Sequence, residues 1–266
     1  MLKLSGKIAI VTGAARGIGR AIALALAREG ACIGIAARSE SESSDRLSTI
    51  YSVAEEVERL GVKAVPVRTD VTKEEDVQTF VDTVVRKLGG IDILVNNAAV
   101  FPMYHTPLVD LPVKYWDLTM NVNLRGFFLC IKTALPHLMK RSGGSIINIS
   151  SLAAVRAGKG RIAYGVSKAG VDRLTFGLSD EVKGYNIAVN ALSPVGPTDT
   201  RAARGLFPEE DPGKWVQPDD MGRAAVWLAR QNAETFTGRA VAVAPGGGAL
   251  TLYGRSNNER MWFRID

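Results

Sequence analysis

Cysteine and histidine are scarce, with two of each in 266 residues. Cys32 and Cys130 fit no CxxC or zinc-ligand spacing, and each reads as a small buried hydrophobe in a reducing compartment. His105 and His137 have no acidic or thiol neighbours at ligand spacing, so the sequence offers no metal site. No run reaches the ~18 uncharged apolar residues that a membrane span needs. The apolar stretch Ile8 to Val11 follows Lys3 and Lys7 but breaks at Thr12 and Gly13, which is too short for a signal peptide. Dense basic runs are missing as well. The net charge of +6, from 33 Lys and Arg against 27 Asp and Glu, is spread along the chain and does not form a nucleic-acid arm. These absences leave a cytoplasmic protein with no nucleic-acid or membrane partner as the expectation.

What is present is a globular composition, 46% hydrophobic and 23% charged, in a chain long enough for one sizeable core. Short apolar runs alternate with stretches of helical period, the pattern of a parallel sheet flanked by helices. Strands are expected at Lys7 to Val11, Ala31 to Ala36, Ala64 to Val67, Ile91 to Val95, Ser145 to Ile149, Ile187 to Leu192 and Ala240 to Val243. Helices are expected over Arg16 to Arg28, the stripe Ile50 to Leu60, the stripe Val77 to Leu88, Tyr115 to Lys140 and Ala163 to Lys183. Thr72-Lys73-Glu74-Glu75 reads as a capping box. Ser193 to Pro218 reads as one long loop, which in a compact domain is more often functional than idle. No internal repeat interrupts the chain. Residues 1–252 are read as one domain and 253–266 as a tail.

Thr12-Gly13-Ala14-Ala15-Arg16-Gly17-Ile18-Gly19 joins the first strand to the first helix. Glycines there permit a tight turn and let backbone N–H groups approach a pyrophosphate at the helix N-terminus. Three glycines alone are weak evidence; between a strand and a helix that open a βα alternation they are strong. The second strand ends in Ala36-Ala37-Arg38-Ser39, with no carboxylate at Ala36 or Ala37 for a ribose 2′-hydroxyl. Arg38, with Arg16 as a second cation, suits the 2′-phosphate of NADP(H), leaving NAD(H) as the second choice.

Tyr164-Gly165-Val166-Ser167-Lys168 sets a phenol and an ammonium four residues apart on one helical face. A nearby cation is expected to lower the phenol's pKa and make its proton exchangeable. Ser151 ends the strand Ile146 to Ile149, at the rim where open α/β sheets bind ligands. Its hydroxyl can donate to a carbonyl oxygen on which charge builds. Asn96-Asn97-Ala98-Ala99 closes another strand at that rim, and Asn123 lies in the helix that follows.

Together these residues resemble the short-chain dehydrogenase/reductase family, in its compact single-domain branch, from Lys3 to about Leu250. The resemblance implies a doubly wound, Rossmann-type α/β fold of three layers. It also implies an oxidoreductase that moves hydride between nicotinamide C4 and a small carbonyl or alcohol substrate. By the same resemblance Tyr164 exchanges the proton, Lys168 also binds the nicotinamide ribose, and Ser151 orients the substrate oxygen. Asn123 holds a water linking the lysine to solvent, Asp70 and Val71 meet the adenine, and Asn97, Ala98 and Ala99 line the cofactor channel. Pro194, Gly196 and Thr198 fall on the cofactor, although Ser193-Pro194-Val195-Gly196-Pro197-Thr198-Asp199-Thr200 carries an extra residue. Thr198 and Thr200 thus both remain candidates. Two further departures, Ala99 in place of a glycine and Ala244-Pro245-Gly246-Gly247 in place of an Asp-Gly-Gly, read as structural.

Phe101 to His105, Leu152 to Arg161 and Thr200 to Trp215 are the expected substrate walls. Arg156, Lys159, Arg161, Arg201 and Arg204 raise an anionic substrate, such as a 3-oxoacyl thioester; a solvated loop is the preferred reading of those charges. A homo-oligomer, commonly a tetramer and otherwise a dimer, is implied through the two long helices and the last sheet edge. Trp262 and Phe263 in the tail would dock on a neighbour, cover the pocket or fray. The rival function is a catalytically silent NADP-binding regulator or scaffold of the same fold, which usually loses one of Ser, Tyr or Lys; here all three are present.

Overall fold

In a computed structural model of the protein, residues 2–40, 48–141, 143–253 and 262–264 are described. Among them, nine strands form one sheet: β1 (Ile8–Thr12), β2 (Cys32–Ala37), β3 (Ala64–Arg68), β4 (Ile93–Asn96), β5 (Gly144–Ile149), β6 (Ile187–Pro194), β7 (Arg239–Val243), β8 (Ala249–Tyr253) and β9 (Trp262–Arg264). Their order is β3-β2-β1-β4-β5-β6-β7-β8-β9. Pairings from β3 through β7 are parallel, and β8 and β9 add antiparallel edges. Strand order reverses direction between β1 and β4, which opens a crevice at their carboxyl ends.

Helices cover both faces, so the inner strands are apolar on both sides; β1 is buried throughout. On one face α1 (Gly17–Arg28), α2 (Ile50–Glu58) and α8 (Pro218–Ala229) enclose a core that includes Ile22, Leu26, Val53, Met221 and Leu228. A methyl on Gly222 would lie 2.9 Å from the Ala25 Cβ, so small residues bring α8 close against α1. On the other face α3 (Glu74–Leu88), α5 (Gly126–Met139) and α6 (Ile162–Glu181) bury Phe80, Val84, Leu129 and Leu178. The result is the expected three-layer, doubly wound Rossmann-type fold.

Four local expectations change. The helix expected from Tyr115 to Lys140 is α4 (Val113–Met120), a π-helical turn at Asn121–Arg125, and α5. The long loop contains α7 (Arg201–Leu206), begun by Thr200, whose hydroxyl accepts from the Ala203 N–H at 3.2 Å. There is no capping box at Thr72, because its N–H and hydroxyl both bond Asp70 Oδ1 (3.0 and 2.8 Å) and α3 begins after an uncapped Lys73. The start of α8 went unread although Pro218 stands in its first turn and Asp220 accepts from the Gln217 N–H at 2.9 Å. Of the tail, Tyr253 ends β8 and 262–264 form β9, while residues 254–261 and 265–266 lie outside the described residues, and with them most of the docking reading. Among the described residues no helix is long and apolar enough to cross a membrane. Cys130 is buried in α5, which pushes its thiol up to about 12, and Cys32 is half-buried in β2.

Candidate active site

The glycine loop owes its shape to contacts across the crevice. Thr12 Oγ1 accepts from the N–H groups of Asn97 (2.9 Å) and Ala98 (3.1 Å), and Asn97 Nδ2 donates to the carbonyls of Thr12 (2.9 Å) and Gly13 (3.1 Å). Thr12 heads the glycine motif in the sequence, but its bracing role was not assigned there; its place at the end of β1, facing Asn97, was the available signal. Gly13 and Gly17 have φ of +64° and +57°, a region that favours glycine. Arg16 begins α1 in extended conformation without a side-chain cap, and no acidic residue occupies the first turn. The helix start therefore offers backbone N–H groups and a favourable dipole to an anion. Ile18 packs on the core beneath, and Ala99 is exposed, so its extra methyl meets no wall.

Further along the rim, Arg38 stands exposed just beyond β2. Glu40 is engaged by Arg68 (3.3 Å) and by the Tyr51 hydroxyl (3.1 Å). Ser39 accepts from the Ile50 N–H at 3.1 Å, tying the strand end to α2. Burial pushes the Asp70 carboxyl up, but bonds from the Thr72 N–H and hydroxyl, with Arg38 and Lys73 nearby, outweigh it and hold the group below the usual carboxylate range. Val71 is buried next to it. At the opposite end, Pro194 closes β6 and Gly196 has open space around it. The Thr198 hydroxyl is buried without a partner, whereas the Thr200 methyl lies 3.3 Å from where a Gly17 Cβ would stand. Of the two, Thr200 is the one set against the glycine loop.

The reactive groups gather where β5 ends. Ser151 follows that strand and accepts from the Ala153 N–H at 3.2 Å. Lys168, 1% exposed, donates from Nζ to the Ile149 carbonyl at 2.7 Å. Its ammonium stands 5.7 Å from the Tyr164 ring centroid and 5.1 Å from that of Phe127. Asn123 is fully buried in the π-helical turn. Its Oδ1 accepts from the Val100 N–H (2.8 Å), and its Nδ2 donates to the Val100 carbonyl (2.8 Å) and to Ser167 Oγ (3.1 Å). The amide therefore clasps the loop after β4 to α6 one residue before Lys168. The extra residue of the π turn coincides with that reach.

The expected lowering of the tyrosine is reversed in this pocket. Burial, opposed by Ser151 and reinforced by Tyr104, pushes the Tyr164 phenol up to about 12. Burial also brings Lys168 down from 10.5 to about 8, against the pull of Asp172. Asp172 was missed by sequence reading, although it stands one helical turn beyond Lys168. Burial raises its carboxyl to about 6, against hydrogen bonds from Ser150 and Tyr253 and the charge of Lys168. The Tyr253 hydroxyl, 3.4 Å from Asp172 and 2.7 Å from Ser193 Oγ, ties β8 to this cluster.

These shifts set a pH dependence. Tyr164 holds its proton throughout the neutral range, and a reduction with Tyr164 as the acid would depend on the Lys168 ammonium, which is present below about 8 and lost above it. The kcat/KM for reduction is expected to fall as pH rises through about 8. Asp172→Asn removes an anion that raises Lys168, so the falling limb should move to lower pH in that variant. A pH profile with the limb in place would leave Asp172 a purely structural role.

The expected substrate walls do meet: Phe101 and Tyr104 pack edge-on against the Tyr164 ring, and Phe207 packs against Tyr104. Of the basic residues, Arg204 is closed on Asp199 through two hydrogen bonds of 2.6 and 2.9 Å. Arg156 and Lys159 are exposed, as the solvated-loop reading expects.

Residues 13–247 match the model of a family described as enoyl-(acyl carrier protein) reductase. The chain is 39% identical over 241 residues to human hydroxysteroid dehydrogenase-like protein 2, covering 90% of this chain and 57% of that protein. It therefore spans little more than half of that relative's length. To the 3-oxoacyl-[acyl-carrier-protein] reductase of Thermotoga maritima it is 34% identical over 254 residues, covering 92% of this chain and 99% of the relative. The crystal structure of NAD+-bound xylitol dehydrogenase superposes with a TM-score of 0.80 at 28% identity, covering 92% of this chain and all of the other.

Proposed function

The chain belongs to the short-chain dehydrogenase/reductase family, and from that premise we propose that it is an NADP(H)-preferring oxidoreductase acting on a ketone or secondary alcohol with Tyr164 as general acid/base. The observation that carries this reading is the Tyr164 ring beside the buried Lys168, whose Nζ lies 5.7 Å from the ring centroid, where Ser151 follows β5 at the same sheet rim as the glycine loop. When bound, the nicotinamide supplies or accepts the hydride. The chain's own residues do the rest. Ser151 holds the substrate oxygen, and Tyr164 donates its proton to that oxygen in reduction and takes it back in oxidation. The Lys168 ammonium stabilises the phenolate left behind, and its Ile149 contact keeps it in place.

The residues fit a dinucleotide. The pinned glycine loop leaves the start of α1 uncapped, and the orphaned Thr198 hydroxyl faces a need that a polar cofactor group would meet. Gly13, Arg16, Gly17, Ile18 and Gly19 would hold the pyrophosphate, Asp70 and Val71 the adenine, and Asn97, Ala98, Pro194, Gly196 and Thr198 the nicotinamide side. Because the Asn123 amide is already committed to Val100 and Ser167, a water relay from Lys168 would use backbone groups of the π-helical turn.

NADP(H) preference rests on Arg38 and Ser39, with Glu40 engaged elsewhere. Arg38→Ala is expected to lower the NADPH-to-NADH ratio of kcat/KM by about 10- to 100-fold, corresponding to about 1.5–3 kcal/mol for a hydrogen bond to a charged group. An unchanged ratio would return the choice to NAD(H). Exposed Phe128 on α5 and Val166 on α6 support a homo-oligomer built on those helices. The test of the function is NADPH and NADH oxidation across ketones, aldehydes and 3-oxoacyl thioesters. Tight NADP(H) binding with no turnover of any of them would favour the silent regulator.

A further inference from the structure

Phe101 and Tyr104 crowd the Tyr164 ring while Phe207 and Trp215 from a second segment back them, and we propose that these side chains form a clamp for a flat, uncharged ring ketone or the matching alcohol, in preference to polyols and anionic acyl thioesters. The proposal rests on the oxidoreductase reading of the same site and specifies its substrate class. Phe101 and Tyr104, in the loop after β4, meet the Tyr164 ring edge-on at 6.1 and 5.7 Å. Phe207, just past α7, meets Tyr104 at 6.0 Å and His105 at 5.8 Å, and Trp215 backs Phe207 at 6.3 Å. Every one of these pairs is T-shaped, the arrangement in which a ring edge meets a ring face. A planar ring entering beside Tyr164 can join that pattern by the same geometry, with its carbonyl directed at the phenol and Ser151.

The wall is shaped in advance of any ligand. The His105 backbone carbon lies 2.3 Å from where a Cβ on Gly160 would be, so the loop rests directly on that glycine. Met103 holds a φ of +54°, and its carbonyl accepts from both His105 N–H (3.2 Å) and Thr106 N–H (3.0 Å), which closes the turn. The Arg161 guanidinium covers the Tyr104 ring at 5.3 Å. On the opposite side, Trp215 is 5% exposed and its indole N–H donates to Glu210 at 3.1 Å.

The chemistry of the lining chooses among substrates. The crevice beside Tyr164 is walled mainly by Pro102, Met103, Leu111, Ile162 and Ala163; of its hydroxyls besides Tyr164, that of Thr119 is spent on the Tyr115 carbonyl at 2.7 Å, which leaves those of Tyr104 and Thr106. A polyol would give up bonds to water there and find few in return. An anionic thioester has one feature in its favour, since Arg161 Nε is buried without a hydrogen-bond partner, but Arg204 is already neutralised by Asp199.

The full chain with NADPH should be assayed with 2-acetylnaphthalene, dihydroxyacetone, acetoacetyl-coenzyme A and butanone. Binding of 2-acetylnaphthalene to the NADP+-loaded protein should be read separately by calorimetry. The naphthyl ketone is expected to lead the ketotriose and the thioester in kcat/KM by at least about 10-fold, the scale that apolar pocket contacts supply. Tyr104→Leu and Phe207→Ala should each remove most of that lead and weaken naphthyl ketone binding, with NADP+ affinity retained as the control for folding. Equal turnover of all four carbonyls, or a lead for the thioester, would overturn the clamp and leave the oxidoreductase standing. Naphthyl ketone binding that weakens in both variants, with no carbonyl turned over, would support the clamp and overturn the oxidoreductase. Absence of naphthyl ketone binding in the unaltered protein would overturn the clamp directly.

Discussion

Replacing Tyr164 by Phe is expected to lower turnover by about 10³-fold, within the 10²–10⁴ range that a positioned acid/base contributes. The substitution removes one oxygen and keeps the ring, so the edge-on contacts with Phe101 and Tyr104 remain. Ser151 still accepts from the Ala153 N–H. The stability cost should therefore stay near ~1 kcal/mol, the net worth of one hydrogen bond. NADP(H) affinity should hold, because the glycine loop is braced by Thr12 and Asn97 on other elements. Single-turnover NADPH oxidation, paired with a direct titration of NADP+, reads the two quantities separately. Turnover within tenfold of the unaltered enzyme would remove Tyr164 from the chemistry.

That prediction depends on residues far apart in the chain, and their meeting was legible to unequal degrees. The βα alternation placed β1 through β7 within a residue or two, because strands covered on both faces are nearly all apolar and stand out between helical stripes. Tyr164, Lys168 and Ser151 were legible for a related reason, since a four-residue spacing and a strand end fix which side of the sheet they reach. Asp172 was not, since a lone aspartate on a helix reads as solvated until β8 brings Tyr253 over it. The reversal at Tyr164 has the same origin. The YxxxK spacing supplies the cation, but the burial that raises the phenol comes from a loop some sixty residues earlier and from Phe207 behind it. The π-helical turn was equally hidden, because its cause is the reach of Asn123 to Val100 and Ser167 and nothing in the local period. The outer antiparallel strands β8 and β9 escaped because a mixed, partly polar edge lacks the apolar run that marks a central strand.

The second large effect concerns binding and not the proton-transfer groups. Gly19→Ala places a Cβ 2.4 Å from Asn97 Nδ2 and 2.4 Å from the Gly13 carbonyl oxygen, both far inside contact distance. Neither neighbour yields cheaply, because the Asn97 amide is held by the carbonyls of Thr12 and Gly13. The Asn97 backbone is in turn held by Thr12 Oγ1. The loop must open, which moves the first N–H groups of α1 away from a bound pyrophosphate. Overpacking of this kind costs about 1–3 kcal/mol, so Tm should fall by roughly 2–4 °C per kcal/mol in a domain of this size. NADP+ affinity should drop by about 100-fold or more, since each charge-assisted bond lost is worth about 1.5–3 kcal/mol. Gly184→Ala is the matched control: a Cβ there meets nothing within 4 Å, so neither Tm nor affinity should move. Calorimetric titration of NADP+ beside thermal unfolding of both variants decides the matter, and an unchanged affinity in Gly19→Ala would detach the glycine loop from the cofactor. Set beside Tyr164→Phe, the outcomes are opposite in kind: one variant binds and does not turn over, the other fails to bind with its Tyr164, Lys168 and Ser151 intact.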